Sequence, residues 1–359
     1  MTNKKFTSIF ISIIAIFAFA NFAIWSLYTK QLLTREDEWI AGDLARIGYL
    51  SHAIHKRKNE IDLPKLHDDK PKATHYEFLT IGDSFSQGHS GGKNRYYQDY
   101  IATLFNWNVL NLTQYPNTQN YSETIMALAN NGFLDAYKVK YILIESTQRR
   151  VVERFVKKID YSRSFPLQEM KDFYNAQEEH SFKLPDVSAI NNGNSKFVLY
   201  NLLYYFSDRA FLSDVHKVKL TQKFFSTSLG DYLLYYHKDV STIKNTTLAS
   251  VETVNSELNT LARFLKERGI QLIFMPAVSK YDLYSPFIVD NKYEQDPFFN
   301  LFETLKKDYL FIDTKKILSK ELQKNEQDIF YGDDTHWSYK ASKAIVDTLS
   351  LVINSSKSY

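Results

Sequence analysis

From Glu77 onward the chain alternates short apolar runs with helical patterns, and this alternation constrains its fold more than any other feature. The runs are Glu77-Phe78-Leu79-Thr80-Ile81, Trp107 to Leu112, Tyr141 to Glu145, Leu272 to Pro276 and Tyr309 to Asp313. Each is short enough to be a strand buried on both faces of its sheet. Helical spacing recurs between them at Tyr96 to Phe105, Ser122 to Ala129, Ala249 to Arg268 and Phe298 to Lys307, with a last helix expected from Tyr339 to Ile353. Strands separated by helices pair in parallel through right-handed crossovers, so the pattern predicts an α/β domain with a central parallel sheet. Ligands of such sheets bind beyond the carboxyl ends of the strands.

What surrounds this domain follows from composition. Phe6 to Tyr28 carries no charge and, at about 23 residues, is long enough to cross a hydrocarbon core of about 30 Å. Lys4 and Lys5 precede it, which favours a cytoplasmic N-terminus and an exported remainder. Residues 1–28 therefore read as a single-pass anchor in an inner membrane; the alternative is a signal cleaved near Ala18-Phe19-Ala20. Residues 29–73 are polar and read as a juxtamembrane helix and linker, with the catalytic domain over 74–353. Residues 151 to about 245, rich in Tyr, Phe and Lys, break the rhythm and read as an insertion, either a lid or substrate platform or a helical excursion packed on the core. Lys plus Arg number 44 against 41 Asp plus Glu, too even a balance to hold a nucleic acid. With no cysteine, thiolate metal sites, cysteine nucleophiles and disulfides are excluded.

Two segments carry chemistry. The first strand runs into Gly82-Asp83-Ser84-Phe85-Ser86-Gln87-Gly88, which puts a serine at the carboxyl end of a core strand, flanked by glycines that permit a tight turn. A helix N-terminus following it would aim N–H groups at developing negative charge. A serine hydroxyl needs a general base. The candidate is His336, in Tyr331-Gly332-Asp333-Asp334-Thr335-His336-Trp337-Ser338 just ahead of the last helix. A carboxylate two or three residues earlier can accept its Nδ1–H and leave Nε2 facing the serine. Asp334 is the first choice for that orienting acid and Asp333 the alternative. The other eight histidines form no metal-ligand spacing, and neither a metal nor another cofactor is expected.

Ile81-Gly82-Asp83-Ser84-Phe85-Ser86 resembles the first block of SGNH/GDSL hydrolases, and Asp334-Thr335-His336-Trp337-Ser338 resembles their last. Asp-Thr-His-Trp is similar to the alginate O-acetyltransferase (AlgX/AlgJ-like) branch, whose members move acetyl groups onto exported polysaccharides. In that branch the Asp-x-His block precedes the serine; here it follows, as in ordinary SGNH hydrolases. The resemblance implies a three-layer, flavodoxin-like fold over about residues 76 to 353, the insertion excepted. It implies a Ser84-His336-Asp334 triad acting through an acyl-enzyme, with the second- and third-block glycine and asparagine of the oxyanion hole absent in standard form. Asn120 stands where the glycine is expected, so the hole is assigned to the Ser84 N–H plus the backbone or side chain of Asn120. Arg149 is read as a substrate clamp or as the ion-pair partner of Glu145, and Lys280, Tyr284 and Trp337 as substrate contacts.

These features together suggest an extracytoplasmic O-acyltransferase for a cell-surface glycan, which would depend on a membrane partner to deliver acyl groups outward. The alternatives are a carbohydrate esterase and a non-catalytic glycan-binding or assembly subunit.

Overall fold

The computed structural model describes residues 3–33, 41–57, 61–177, 188–211 and 213–356. The charge run at Arg35 to Glu38, His180 and part of the insertion lie outside the described residues. Five parallel strands form the central sheet: β1 (Phe78–Ile81), β2 (Val109–Leu112), β3 (Tyr141–Thr147), β6 (Gln271–Ala277) and β7 (Leu310–Phe311), ordered β2-β1-β3-β6-β7. Between β3 and β6 in sequence lies a separate antiparallel hairpin, β4 (Val215–Lys219) and β5 (Tyr232–Tyr236). With the hairpin set aside, the sheet follows the doubly wound 2-1-3-4-5 order, whose reversal between β1 and β3 opens a crevice at the carboxyl ends. The five apolar runs coincide with these five strands, and β1 and β2 are buried at every position, as continuous apolar runs require.

Helices Tyr97–Phe105, Tyr121–Asn130, Leu248–Lys266, Phe298–Glu303 and Tyr339–Ser356 occupy the expected segments. Shorter helices at Gln148–Phe155, Lys280–Tyr284 and Thr314–Gln323 were not anticipated. At the N-terminus, Asn3–Leu33 is a 31-residue helix, apolar and exposed enough to cross a bilayer as an anchor or a signal sequence. Its regular turns give way to a wider π turn at Trp25–Thr29.

The segment read as a linker is part of the folded body. Leu44, Ala45, Leu50 and Ala53 are buried, and Ala45 N–H donates to the Asp333 carbonyl at 3.0 Å. A side chain on Gly42 would collide with that same carbonyl. The insertion is not a purely helical excursion either, since it contains the hairpin. Tyr235 of β5 packs on Tyr281 with ring centroids 4.9 Å apart, and Phe224 and Phe225 pack on Tyr284.

Candidate active site

Ser84 follows β1 by three residues, in the crevice at the sheet's reversal, and keeps partial solvent access while its neighbours Asp83 and Phe85 are buried. The turn that carries it is tight because Gly82 has no side chain: a Cβ there would collide with Ser86 Oγ and Glu145 Oε2. Residues 84–90 form successive turns, with Gln87 N–H donating to the Asp83 carbonyl at 3.0 Å, and the next helix begins only at Tyr97. A helix N-terminus directly behind Ser84, as the sequence suggested, is therefore not what the turn provides.

His336 is held opposite. Its Nε2 lies 2.7 Å from Ser84 Oγ, and its Nδ1 lies 2.6 Å from Asp334 Oδ1. The same Asp334 oxygen accepts the His336 backbone N–H at 3.0 Å, closing a short ring that fixes the loop. Phe85 packs at a tilt against Trp337 and the imidazole, with ring centroids 4.4 Å and 4.7 Å away and planes inclined by 58° and 57°. With Nδ1–H given to the carboxylate, Nε2 faces the hydroxyl as an acceptor, the tautomer a general base requires. Burial works against the imidazolium, but the Asp334 carboxylate outweighs it, with Asp43 adding, so the His336 pKa is raised above its ordinary value. Burial likewise opposes the Asp334 carboxylate, yet His336 and Arg57 hold its pKa well below the carboxylate range.

Asp333 does not orient the imidazole. Fully buried, it accepts at Oδ2 from Gly42 N–H at 2.8 Å, His55 N–H at 3.0 Å and Arg57 Nη1 at 2.9 Å. Arg57 bridges the two acids, since its Nη2 donates to Asp334 Oδ2 at 2.9 Å, and its Nε donates to the Ser90 carbonyl at 3.0 Å. Asp43 completes the support: it accepts the Thr335 N–H at 2.7 Å and the Thr335 hydroxyl at 2.5 Å. Burial, and next the Asp334 charge, push the Asp43 pKa up to about 6. Gly42, Asp43, His55 and Arg57 all come from the stretch taken for a linker. Nothing local marks them, because their partners lie more than 270 residues away.

Beneath the nucleophile turn lies a second polar cluster. Glu145 Oε2 accepts Asp83 N–H and Ser86 Oγ–H, each at 2.9 Å, and Asp83 Oδ2 accepts Thr147 N–H at 2.9 Å and Arg154 at 3.1 Å. Burial and the neighbouring Asp83 raise the Glu145 pKa well above its ordinary value, whereas Arg154 overcomes burial to hold Asp83 low. Burial beside the Asp83 carboxylate thus favours the protonated form of Glu145.

Several expected substrate contacts are structural. Lys280 is buried and spends its three donors on the carbonyls of Tyr331, Gly332 and Asp334, at 2.7, 3.0 and 3.0 Å, where it clamps the histidine loop. Burial lowers its pKa to about 8 despite Asp333 and Asp334. Tyr284 is buried among Phe224, Phe225 and Phe330, and Trp337 is buried against Phe85, so neither presents a face to a ligand. Arg149 pairs with Asp239 at 3.1 Å rather than with Glu145. Asn120 caps the helix Tyr121–Asn130 by accepting Glu123 N–H at 3.0 Å, and its Nδ2 donates to the Arg154 carbonyl at 3.0 Å. Its side chain is therefore already engaged. Among the described residues, Asp43, Asp334 and His336 form a trio of metal-ligand type whose atoms lie within 4.8 Å of one another. Those atoms are hydrogen-bonded among themselves and to Thr335, so the trio supports the imidazole as it stands.

The Ser-His-Asp chain at the carboxyl end of a 2-1-3-4-5 parallel sheet agrees with the resemblance to SGNH hydrolases that the two motifs carry. Residues 231–358 match the family model described as the SGNH hydrolase-like domain of the acetyltransferase AlgX. The matched segment holds Asp334 and His336 and leaves Ser84 outside it. It supports an acetyltransferase or esterase type of family. Comparison with the curated proteins finds no match.

Proposed function

We propose that this chain is a membrane-anchored, extracytoplasmic serine O-acyltransferase, acting on hydroxyls of a cell-surface polysaccharide. The observation that carries the proposal is the 2.7 Å contact between Ser84 Oγ and His336 Nε2, backed by the 2.6 Å contact of Nδ1 with Asp334. In the first half-reaction Ser84 Oγ attacks an ester carbonyl as its proton passes to Nε2. The tetrahedral intermediate collapses, the donor alcohol leaves with that proton, and the acyl group remains on Ser84. In the second half-reaction an acceptor hydroxyl gives its proton to Nε2 and attacks the acyl-serine, and Ser84 leaves reprotonated. The backbone N–H groups of Ser84 and Asn120 donate to no other atom among the described residues, which suits them to the oxyanion hole.

The N-terminal helix, the lysines before it and the AlgX-like match support an exported site and a glycan acceptor. The donor would come from a membrane partner that presents acyl groups on the outer side.

The test is turnover of p-nitrophenyl acetate by the full chain in detergent, with and without an oligosaccharide acceptor. Release abolished by Ser84→Ala, with acetyl appearing on the oligosaccharide, supports the transferase. Release to water alone makes the chain an esterase. Wild-type release no faster than that of Ser84→Ala makes it a binding subunit and overturns the proposal.

A further inference from the structure

The insertion helix Asn192–Leu203 exposes an apolar stripe that the catalytic reading does not use. Val198, Leu199 and Leu202 are each about half exposed, and Tyr205 and Phe206, which continue the stripe past the helix end, are 85% and 82% exposed. Their spacing of three and four residues sets them on one side of the helix, opposite Gly193 and Tyr200, which are buried. The helix carries a single charged residue, Lys196, and no carboxylate. A contiguous exposed patch of this kind marks a contact surface.

Its neighbour indicates what covers it. Asn194 Oδ1 accepts Thr29 Oγ1–H at 2.6 Å, and its Nδ2 donates to Asn21 Oδ1 at 3.2 Å. Phe197 stacks on Tyr28 with centroids 4.7 Å apart. Asn21, Tyr28 and Thr29 all belong to the long apolar helix. Twenty residues at about 1.5 Å each span about 30 Å, so a hydrocarbon core entered at Phe6 is left near Trp25. Trp25, with Lys30 Nζ 5.5 Å from its ring, suits that boundary. Asn194 therefore grips the anchor within about one turn on either side of the hydrocarbon edge.

We propose that the stripe Val198-Leu199-Leu202-Tyr205-Phe206 is a second membrane contact, lying in the interface of the bilayer that the anchor crosses. An amphipathic helix in that plane buries its apolar face about 5–10 Å into the headgroup and acyl boundary, and Lys196 suits anionic headgroups. The inference rests on reading Asn3–Leu33 as a retained anchor. It has a consequence for the site: the same N-terminal region supplies Gly42, Asp43 and Arg57 to the histidine loop, so the two membrane contacts would hold Ser84 at a set height above the lipid instead of on a free tether.

The absence of cysteine makes the test direct. Single substitutions Leu199→Cys, Phe206→Cys, Ile13→Cys in the anchor and Ser256→Cys on the exposed side of the helix Leu248–Lys266 are labelled with a polarity-sensitive fluorophore. The full-length variants are reconstituted into vesicles of phosphatidylethanolamine and phosphatidylglycerol containing a lipid-borne nitroxide quencher. The proposal predicts blue-shifted emission that loses most of its intensity at 13, 199 and 206, with 256 unaffected. Quenching at 13 alone overturns the interfacial stripe and leaves the anchor standing. No quenching at 13 removes the anchor reading and this proposal with it. Blue-shifted emission at 199 and 206 that lipid does not quench would mean that a second copy covers the stripe, which also overturns it.

Discussion

Arg57 is the side chain on which the histidine loop most depends outside the triad. It is buried, and its two terminal nitrogens each lie 2.9 Å from one of two buried carboxylates, Asp333 and Asp334. Arg57→Met keeps much of the volume and removes the charge. Asp334 retains its bond from His336, but Asp333 loses its ion pair and is left with two backbone N–H donors. Breaking a buried pair by deleting one partner costs about 3–5 kcal/mol. At about 2.1 cal/mol/K of unfolding entropy per residue, a chain of 359 residues loses about 1.3 °C per kcal/mol, so the melting temperature should fall by roughly 4–7 °C. The double variant Arg57→Met/Asp333→Asn, with no stranded charge, should recover about 0.5–3 kcal/mol of that loss. The assay is thermal unfolding of the full chain in detergent, followed by near-ultraviolet circular dichroism, with p-nitrophenyl acetate turnover measured well below the transition. A single variant within about 1 kcal/mol of wild type, or a double variant whose loss is the sum of the two single losses, would refute the reasoning.

Three further predictions come from the support of the two loops. The proposed mechanism needs neutral His336, so kcat/KM should rise with pH through the His336 pKa; Asp43→Asn withdraws a charge that favours the imidazolium and should move that acidic limb to lower pH, and an unmoved limb contradicts this. Glu145→Gln supplies the same acceptor and donor as a protonated carboxyl and should melt within about 1 kcal/mol of wild type, whereas Glu145→Ala strands Asp83 N–H, with Ser86 Oγ keeping the Tyr97 hydroxyl, and should cost about 1–3 kcal/mol for the buried donor left unpaired. Lys280→Met strands the Gly332 and Asp334 carbonyls behind the histidine loop, that of Tyr331 keeping the Asp334 N–H, so it should lower the melting temperature and kcat while leaving the KM for a glycan acceptor unchanged; a raised KM with unchanged kcat would restore Lys280 as a substrate contact.

How much of this was legible in the sequence follows from where each signal lies. A strand buried on both faces reads as a short apolar run, as β1, β2, β3 and β6 do; β7, at the sheet edge and half-buried, was legible from the same composition. Ser84 and His336 stand in short motifs whose chemistry is local, so each could be singled out before its partner's position was known. Arg57 and Asp43 could not, because their partners are distant in sequence and a solvated linker has the same composition as Ala53-Ile54-His55-Lys56-Arg57. Lys280, Tyr284 and Trp337 were correctly placed near the ligand end of the sheet but misread as facing outward. Topology says which end of a strand a residue follows, and only packing decides whether its side chain turns toward solvent or into the loop it supports. The hairpin was missed because Tyr232-Leu233-Leu234-Tyr235-Tyr236 shows no alternation: Leu233 and Tyr235 face the main core, while Leu234 on the other face packs with Leu44, Leu50 and Ala53 of the N-terminal segment.

The central claim is that Ser84 carries an acyl group during turnover because His336 takes its proton. It is tested most directly by quenching the full chain in acid soon after mixing with p-nitrophenyl acetate and locating acetyl by peptide mass spectrometry. The account predicts acetyl on the peptide containing Ser84 in the wild type, and its loss in both Ser84→Ala and His336→Gln. Turnover that leaves Ser84 unmodified, or acetylation of Ser84 that persists at the wild-type rate in His336→Gln, would contradict it.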